Sequence, residues 1–352
     1  MSSQELFPNL TIGLDLGDKV SRTCEIDAAG KTVKTAAVAT TPGAIERYFG
    51  ERPPCRVVLE VSTHSPWVSR QLSSLGHEVV VANTGEIFSR RRRKRRNDKL
   101  DAEFLARQGR ADVKLLYPIQ HRGVEAQQDL ALLRARDQLV QARTRLISHV
   151  RGAVKSLGAR ISKCDTDVFA KRAAAQLPEP LRPALAPLLE VIGDLTRRIR
   201  ELDRQVERMQ EKYPEAVHLQ QPVGVGPLTA LAYVLTVEDP KRFKHSRDVG
   251  PFFGLVPKLD DSSDSSPQLH ITKAGDALVR RYLVSAAHYI LGPFGPDCDL
   301  RRYGQAIAAR GGKNASKRAA VAVARKLAVL LHHLWVTNAD YDPNWLESRH
   351  AA

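Results

Sequence analysis

Leu10-Thr11-Ile12-Gly13-Leu14-Asp15-Leu16 is a short apolar run with a single carboxylate near its end. It reads as a buried strand, and an ionised acid beside a core is costly unless something compensates it. Residues 22–27 and 32–39 read as two further strands, with Ala28-Ala29-Gly30-Lys31 as the turn between them. Pro42-Gly43 breaks the pattern before a short helix at 44–49. Arg56-Val57-Val58-Leu59-Glu60-Val61 then repeats the opening signature, an apolar strand with an acid near its end. A helix over 66–75 starts with proline near its first turn, and Glu78-Val79-Val80-Val81-Ala82 is a fifth strand. Hairpin strands followed by strand–helix alternation predict a mixed α/β sheet.

The next informative stretch is a charge boundary. Arg90, Arg91, Arg92, Arg93, Lys94, Arg95 and Arg96 run through Asn97 into Asp98-Lys99-Leu100-Asp101-Ala102. Asn97 is a good N-cap, and a helix starting there places Asp98 and Asp101 on one face of its first turn. The cations suit a polyanion, and paired carboxylates suit a hard divalent cation. Taken singly, each acid is an ordinary strand-end or N-cap residue. Asp15, Glu60, Asp98 and Asp101 in the order strand, strand, helix, helix instead suggest a carboxylate cluster. Mutual repulsion disfavours such a cluster unless Mg²⁺ or Mn²⁺ occupies it.

The 352 residues predict two or three domains, and 43% hydrophobic content excludes global disorder. A balance of 54 Lys+Arg against 39 Asp+Glu gives +15 and a pI near 9.8. The usual partner of so basic a chain is nucleic acid, with an anionic membrane as the rival. No apolar run is expected to reach the roughly 18–20 residues of a spanning helix. The start, Met1-Ser2-Ser3-Gln4-Glu5, does not read as a signal peptide. Cys24, Cys55, Cys164 and Cys298 show no CxxC spacing, so neither zinc nor a disulfide framework is expected. A cytoplasmic setting is the expectation.

From Tyr117-Pro118 the pattern becomes helical. Leu132, Leu139 and Leu146 repeat at seven, as do Leu133, Val140, Ile147 and Val154. After a proline-rich break, Leu188, Ile192, Leu195, Ile199, Leu202, Val206 and Met209 form a heptad seam with a charged exterior. Its partner is either another helix of the same chain or a second chain. Beyond Tyr213-Pro214, Pro222-Val223-Gly224-Val225-Gly226-Pro227 makes a tight turn before a helix. It is either a backbone cradle for a DNA phosphate or an ordinary junction. Gly254-Leu255-Val256-Pro257 leads into a serine-rich stretch, 258–267, flanked by Lys258, His270 and Lys273, which reads as a loop. The last helix, 317–335, has an apolar face and a basic start.

These motifs fall in a recognisable order. Gly13-Leu14-Asp15, Val58-Leu59-Glu60-Val61-Ser62, Asp98-Lys99-Leu100-Asp101-Ala102 and Gly224-Val225-Gly226-Pro227-Leu228-Thr229-Ala230 come first. Phe253-Gly254-Leu255-Val256-Pro257, Ile271-Thr272-Lys273-Ala274-Gly275 and Ala324-Arg325-Lys326-Leu327-Ala328 follow. Together they resemble the DEDD-type transposases of bacterial insertion sequences, the "insertion sequence one-ten" family, over residues 9–345. The resemblance implies α/β plus α architecture: a RuvC-like, ribonuclease-H-type domain at 9–118, a helical coiled-coil region at 119–215, and a mainly helical serine transposase domain at 216–346. It implies that Asp15, Glu60, Asp98 and Asp101 bind the metal and that a serine attacks DNA. Counted from Pro257 and back from Ile271, that serine is Ser262, and a one-residue slip nominates Ser263. Asp260 stands where the family has an aromatic, and Ser263 where it has glycine. The resemblance further implies a homodimer or tetramer, DNA ends and target as substrates, and a structured guide RNA from the element. Arg90 to Arg96, Gly224, Gly226 and Lys273 are the candidate nucleic-acid contacts.

Two other readings use the same residues. A Holliday-junction-type endonuclease or site-specific DNA invertase would use the acids and metal without an RNA guide, and the endonuclease would not need the serine. A non-catalytic nucleic-acid-binding protein would need neither, and would be indifferent to loss of an acid.

Overall fold

The computed structural model describes residues 10–83, 98–259 and 269–344, with the side chains of Asp98 and Lys99 excepted. The chain divides into two compact units, Met1–Arg122 and Gly123–Ala352.

The first unit is built on a five-stranded mixed sheet of β1 (Thr11–Asp15), β2 (Val20–Ile26), β3 (Thr32–Ala39), β4 (Arg56–Glu60) and β5 (Glu78–Ala82). The spatial order is β3-β2-β1-β4-β5. The first three strands pair antiparallel, while β1, β4 and β5 run parallel. This topology is compatible with a ribonuclease-H-like domain. Alternation of side chains divides the two faces. Ile12, Leu14, Val57 and Leu59 point to one face and form a core with Ile45 and Phe49 of α1 (Pro42–Phe49) and Val68 and Leu72 of α2 (Ser65–Ser74). Gly13 and Val58 point to the other, against α3 (Asp98–Ala111), whose Leu105 packs with Val58, Val80 and Leu116.

Helix α3 approaches β1 backbone to backbone. A Cβ added at Gly13 would lie 1.9 Å from the Ala102 carbonyl oxygen and 2.6 Å from the Ala106 nitrogen. Further along, Arg56 Nη1 donates to the Gly109 carbonyl at 3.0 Å, and Gly109 sits on Val58. Ala102 therefore overlies the middle of β1, while Arg107 and Arg110 donate to the Gly30 and Ala28 carbonyls, in the turn beside the amino end of β1. The helix runs antiparallel to both strands, and its N-terminal turn lies toward their carboxyl ends.

The second unit is helical. Helix α4 (Val124–Ser156) and α6 (Arg182–Met209) form an antiparallel pair within one chain, with α5 (Phe169–Ala174) packed at one end. Arg143 Nη1 donates to Thr196 Oγ1 at 3.2 Å, Arg136 to Asp203 at 2.6 Å, and Lys212 to Asp129 at 2.7 Å. The heptad seam of α6 is therefore met by α4. Ile192, Ile199 and Val206 are buried, whereas Leu188, Leu195, Leu202 and Met209 are half-buried. The seam also begins earlier than the sequence suggests. Pro183 sits in the first turn, where the missing N–H costs nothing, and Pro187 is accommodated inside the helix.

Helix α7 (Pro214–His218) leads to α8 (Pro227–Val237), which is buried on nearly every side. Around it pack α9 (Val249–Phe252), α10 (Ala277–Leu291), α11 (Asp299–Ala309) and α12 (Ala315–Thr337). By length and composition α12 could cross a membrane, but Val323, Leu327, Leu331 and their neighbours form the core of this unit.

Ion pairs fasten α4 to this bundle: Arg134 with Asp276, and Asp137 with Arg281. Asp137 is only 6% exposed and accepts two bonds from Arg281 of α10, at 2.7 and 2.9 Å. Arg281→Met leaves that carboxylate buried with only Gln141 as an observed donor. The expected loss is about 2 kcal/mol in urea unfolding, and Asp137→Leu in the same chain should recover most of it.

Candidate active site

Asp15 and Glu60 close two neighbouring parallel strands. The β1–β4 register pairs Leu14 with Leu59, so the two acids are the next residues on each strand. By alternation both fall on the face covered by α3, in line with Gly13 and Val58. Each is half-buried, and Asp15 stands opposite Arg22 of β2. The apolar strands require this placement: Leu14 and Leu59 must enter the core, which sends the following acids to the opposite face.

Helix α3 carries the other two. Ala102, Leu105, Ala106 and Gly109 form its sheet-facing stripe, all buried. Asp101, half-buried, lies one turn before Leu105, and position 98 lies one turn before Ala102. The fold thus brings the two strand ends under the acidic first turn of α3. A helix N-terminus also favours negative charge nearby. All four residues are hard oxygen donors, the chemistry that Mg²⁺ and Mn²⁺ prefer. Among the described residues, no three His, Cys, Asp or Glu side chains form a group that could hold a metal ion; the Asp98 side chain lies outside them.

The rim of these strand ends holds residues that the sequence pattern did not single out. His64 Nε2 is 3.5 Å from Asp18 Oδ1, linking the turn after β1 to the turn after β4. Trp67 Nε1 donates to His64 Nδ1 at 3.1 Å, which places any proton of neutral His64 on Nε2. Ser62 and Ser65 bond each other's backbone N–H groups, and Ser65 Oγ is 2.8 Å from His121 Nε2. Burial, together with Arg70 and Arg122, pushes the His121 pKa down. Only the run of small polar residues after Glu60 hinted at this network.

In the second unit, residues 254–258 and 270–275 lie side by side as two antiparallel arms. Lys258 N–H donates to the His270 carbonyl at 2.9 Å, Thr272 N–H to Val256 at 2.9 Å, and Lys273 N–H to Gly254 at 3.1 Å. Gly254 and Gly275 have φ of +64° and +69°, and a Cβ on Gly275 would meet the Phe252 carbonyl at 1.9 Å. Lys273 is exposed and also adopts positive φ, at +56°. The chain between these arms carries Ser262 and Ser263, which lie outside the described residues, as do Arg90 to Arg96. Gly224 has φ +87° and backs onto the Ala286 carbonyl, so its glycine requirement is met by packing. Gly226 is exposed with open space about its Cα, directly before α8.

A mixed sheet of this order, with acids at the ends of its two central parallel strands and on a covering helix, is compatible with the ribonuclease-H-like class of α/β domain. Comparison with known proteins makes the class specific. A DEDD-type transposase profile matches residues 12–158, and a profile described as "Transposase IS116/IS110/IS902 family" matches residues 216–297. The chain belongs to the IS110 family of transposases. It is 26% identical to a "Probable family 20 transposase" of Pseudomonas aeruginosa over 94% of this chain and 98% of that protein. It is 27% identical to the transposase for insertion sequence element IS1111A of Coxiella burnetii, covering 94% and 90% of the two chains. With the IS1328 transposase of Yersinia enterocolitica it shares 28% identity over 80% and 84%.

Proposed function

We propose that this transposase cuts and rejoins the DNA strands of its insertion sequence by combining the acids of the first unit with Ser262 of the second. The observation that carries the reading is the placement of Asp15 and Glu60 on adjacent strand ends beneath the acidic first turn of α3. Asp15, Glu60, Asp98 and Asp101 would hold the divalent cation, which supplies Lewis acidity at the scissile phosphate and lowers the pKa of an oxygen nucleophile. The Ser262 hydroxyl attacks phosphorus, the bond to one nucleoside oxygen breaks, and that oxygen leaves with a proton. The DNA is then held as a phosphoserine ester, and the reverse attack by a nucleoside hydroxyl rejoins it without ATP. The glycine-locked arms at 254–258 and 270–275 give the serine-bearing stretch a fixed base, which reduces the entropy lost in aligning the nucleophile. Resemblance to the family supports assembly of the site in a homodimer or tetramer and guidance by a structured RNA. The cations at 90–96 suit either nucleic-acid backbone.

Ser262→Ala should reduce strand exchange of element-end DNA by about a thousandfold or more while leaving DNA affinity within about twofold. Exchange at the wild-type rate by that variant, with Ser263→Ala equally active, would sink the serine mechanism.

A further inference from the structure

Beside the two arms, the second unit contains a groove of about 1300 Å³ between α11 and α12. Its floor is apolar and half-buried, made by Ile307, Val321, Val329 and Leu330 with the ring of Tyr303. Its rim is cationic: Arg310 just past the end of α11, Lys317, Arg325 and Lys326 on α12, and Lys273 on an arm, all exposed. None of these five makes an ion pair with a carboxylate among the described residues. Elsewhere in the same unit arginines are matched: Arg136 by Asp203, Arg143 by Asp167, Arg134 by Asp276, and Arg197 by Asp194. Unmatched like charges around an apolar trough are self-repulsive, and they persist at lowest cost where a polyanion neutralises them. Lys326 Nζ stands 4.1 Å from the Tyr303 ring centroid, so cationic rim and aromatic floor adjoin there. Asp299, Asp340 and Asp342 also line the groove, at the start of α11 and just beyond α12, which disfavours an anion beside them.

We propose that this groove is a binding site for an unpaired nucleic-acid strand of a few nucleotides, adjoining the arms that carry Ser262. Base faces need an apolar or aromatic floor and phosphates need a flexible cationic rim, and the groove offers both. A duplex presents its phosphates outermost and has no exposed base faces to lay on such a floor. An acidic peptide would satisfy the rim and leave the trough unused. The inference rests on the reading of this chain as a strand-exchanging transposase, in which unpaired strand segments exist during the reaction.

The test is fluorescence anisotropy of the full-length protein with a twelve-residue oligothymidylate, its uridylate counterpart, and a mixed-sequence duplex. Tyr303→Ala should weaken both single strands about tenfold, with Tyr303→Leu as a second variant that preserves the packing volume better. Arg325→Gln with Lys326→Gln should lower the single-strand salt slope by about 1.4, from two lost phosphate contacts at about 0.7 each. Duplex affinity should change less than twofold in every variant. A strand carrying 4-thiothymidine should crosslink to the peptides containing Tyr303 or Val321. Single-strand binding that stays within twofold of wild type in the Tyr303 and paired-cation variants overturns the site. So does an equal loss for duplex, or displacement by polyglutamate as effective as displacement by oligothymidylate. Ser262→Ala should bind oligothymidylate like wild type. If wild-type protein fails to exchange strands yet shows these Tyr303 and Arg325 effects, the groove stands and the serine reading falls.

Discussion

Asp15→Asn should reduce DNA cleavage and strand exchange by about a thousandfold, the scale of removing a charge-stabilising group from a phosphoryl-transfer site. Its stability should change by no more than about 1 kcal/mol, as expected for a nearly isosteric change at a half-buried strand end. Asparagine keeps the size and leaves Leu14 in the core, so β1 and its pairing with β4 are undisturbed. Glu60→Gln should behave alike, and the double variant should be scarcely worse than either single one, since residues acting as a unit are non-additive. The checks are a denaturing gel of end-labelled DNA and a thermal melt of the same samples. An Asp15→Asn protein that cleaves like wild type would leave the acids as ordinary strand-end residues.

The second large effect is on the fold. Gly13→Ala drives a methyl group into the backbone of α3, against the Ala102 carbonyl and the Ala106 nitrogen, and neither can yield as a flexible side chain would. The helix must move away from β1, at an expected cost of about 3 kcal/mol or more. For a unit of this size that corresponds to a fall of about 10 °C or more in melting temperature. Because the same helix carries Asp101 and begins at Asp98, the variant should lose cleavage even at temperatures where it remains folded. Gly226→Ala is the control: nothing lies within 4 Å of its added Cβ, so its stability should change by no more than about 0.5 kcal/mol.

The first unit was largely legible because its signals are local. Strand β3 and strand β5 fall where alternation and turn residues place them, and the acids of β1 and β4 stand at the ends of strands whose neighbouring leucines fix the face. The glycine of Gly13-Leu14-Asp15 is part of that legibility, but its reason is the close passage of α3, some ninety residues later in the chain. The α6 heptads predicted a helical partner correctly without choosing it. That choice depends on polar matches such as Arg143 with Thr196 and Arg136 with Asp203, which no periodicity encodes. Buried charge was the least legible feature. Asp137 and Arg281 are 144 positions apart and each resembles any exposed helical residue until the bundle joins them. The groove was missed for the same reason. A basic start to α12 was visible, but whether those cations are neutralised is a property of packing, not of composition. The serine-bearing stretch, and the cations at 90–96, lie outside the described residues, so their roles rest on position in the chain and on family resemblance.

In the proposed mechanism the acids and Ser262 act in one phosphoryl transfer. Its most direct test is to incubate the protein with element-end DNA, the flanking transcript and Mg²⁺, then digest and weigh the peptides. The expected result is a DNA adduct on the peptide spanning 258–273, absent in Ser262→Ala and absent in Asp15→Asn, whose serine is intact. Cleaved DNA with no adduct on any peptide, or an adduct that forms equally well in Asp15→Asn, would contradict it.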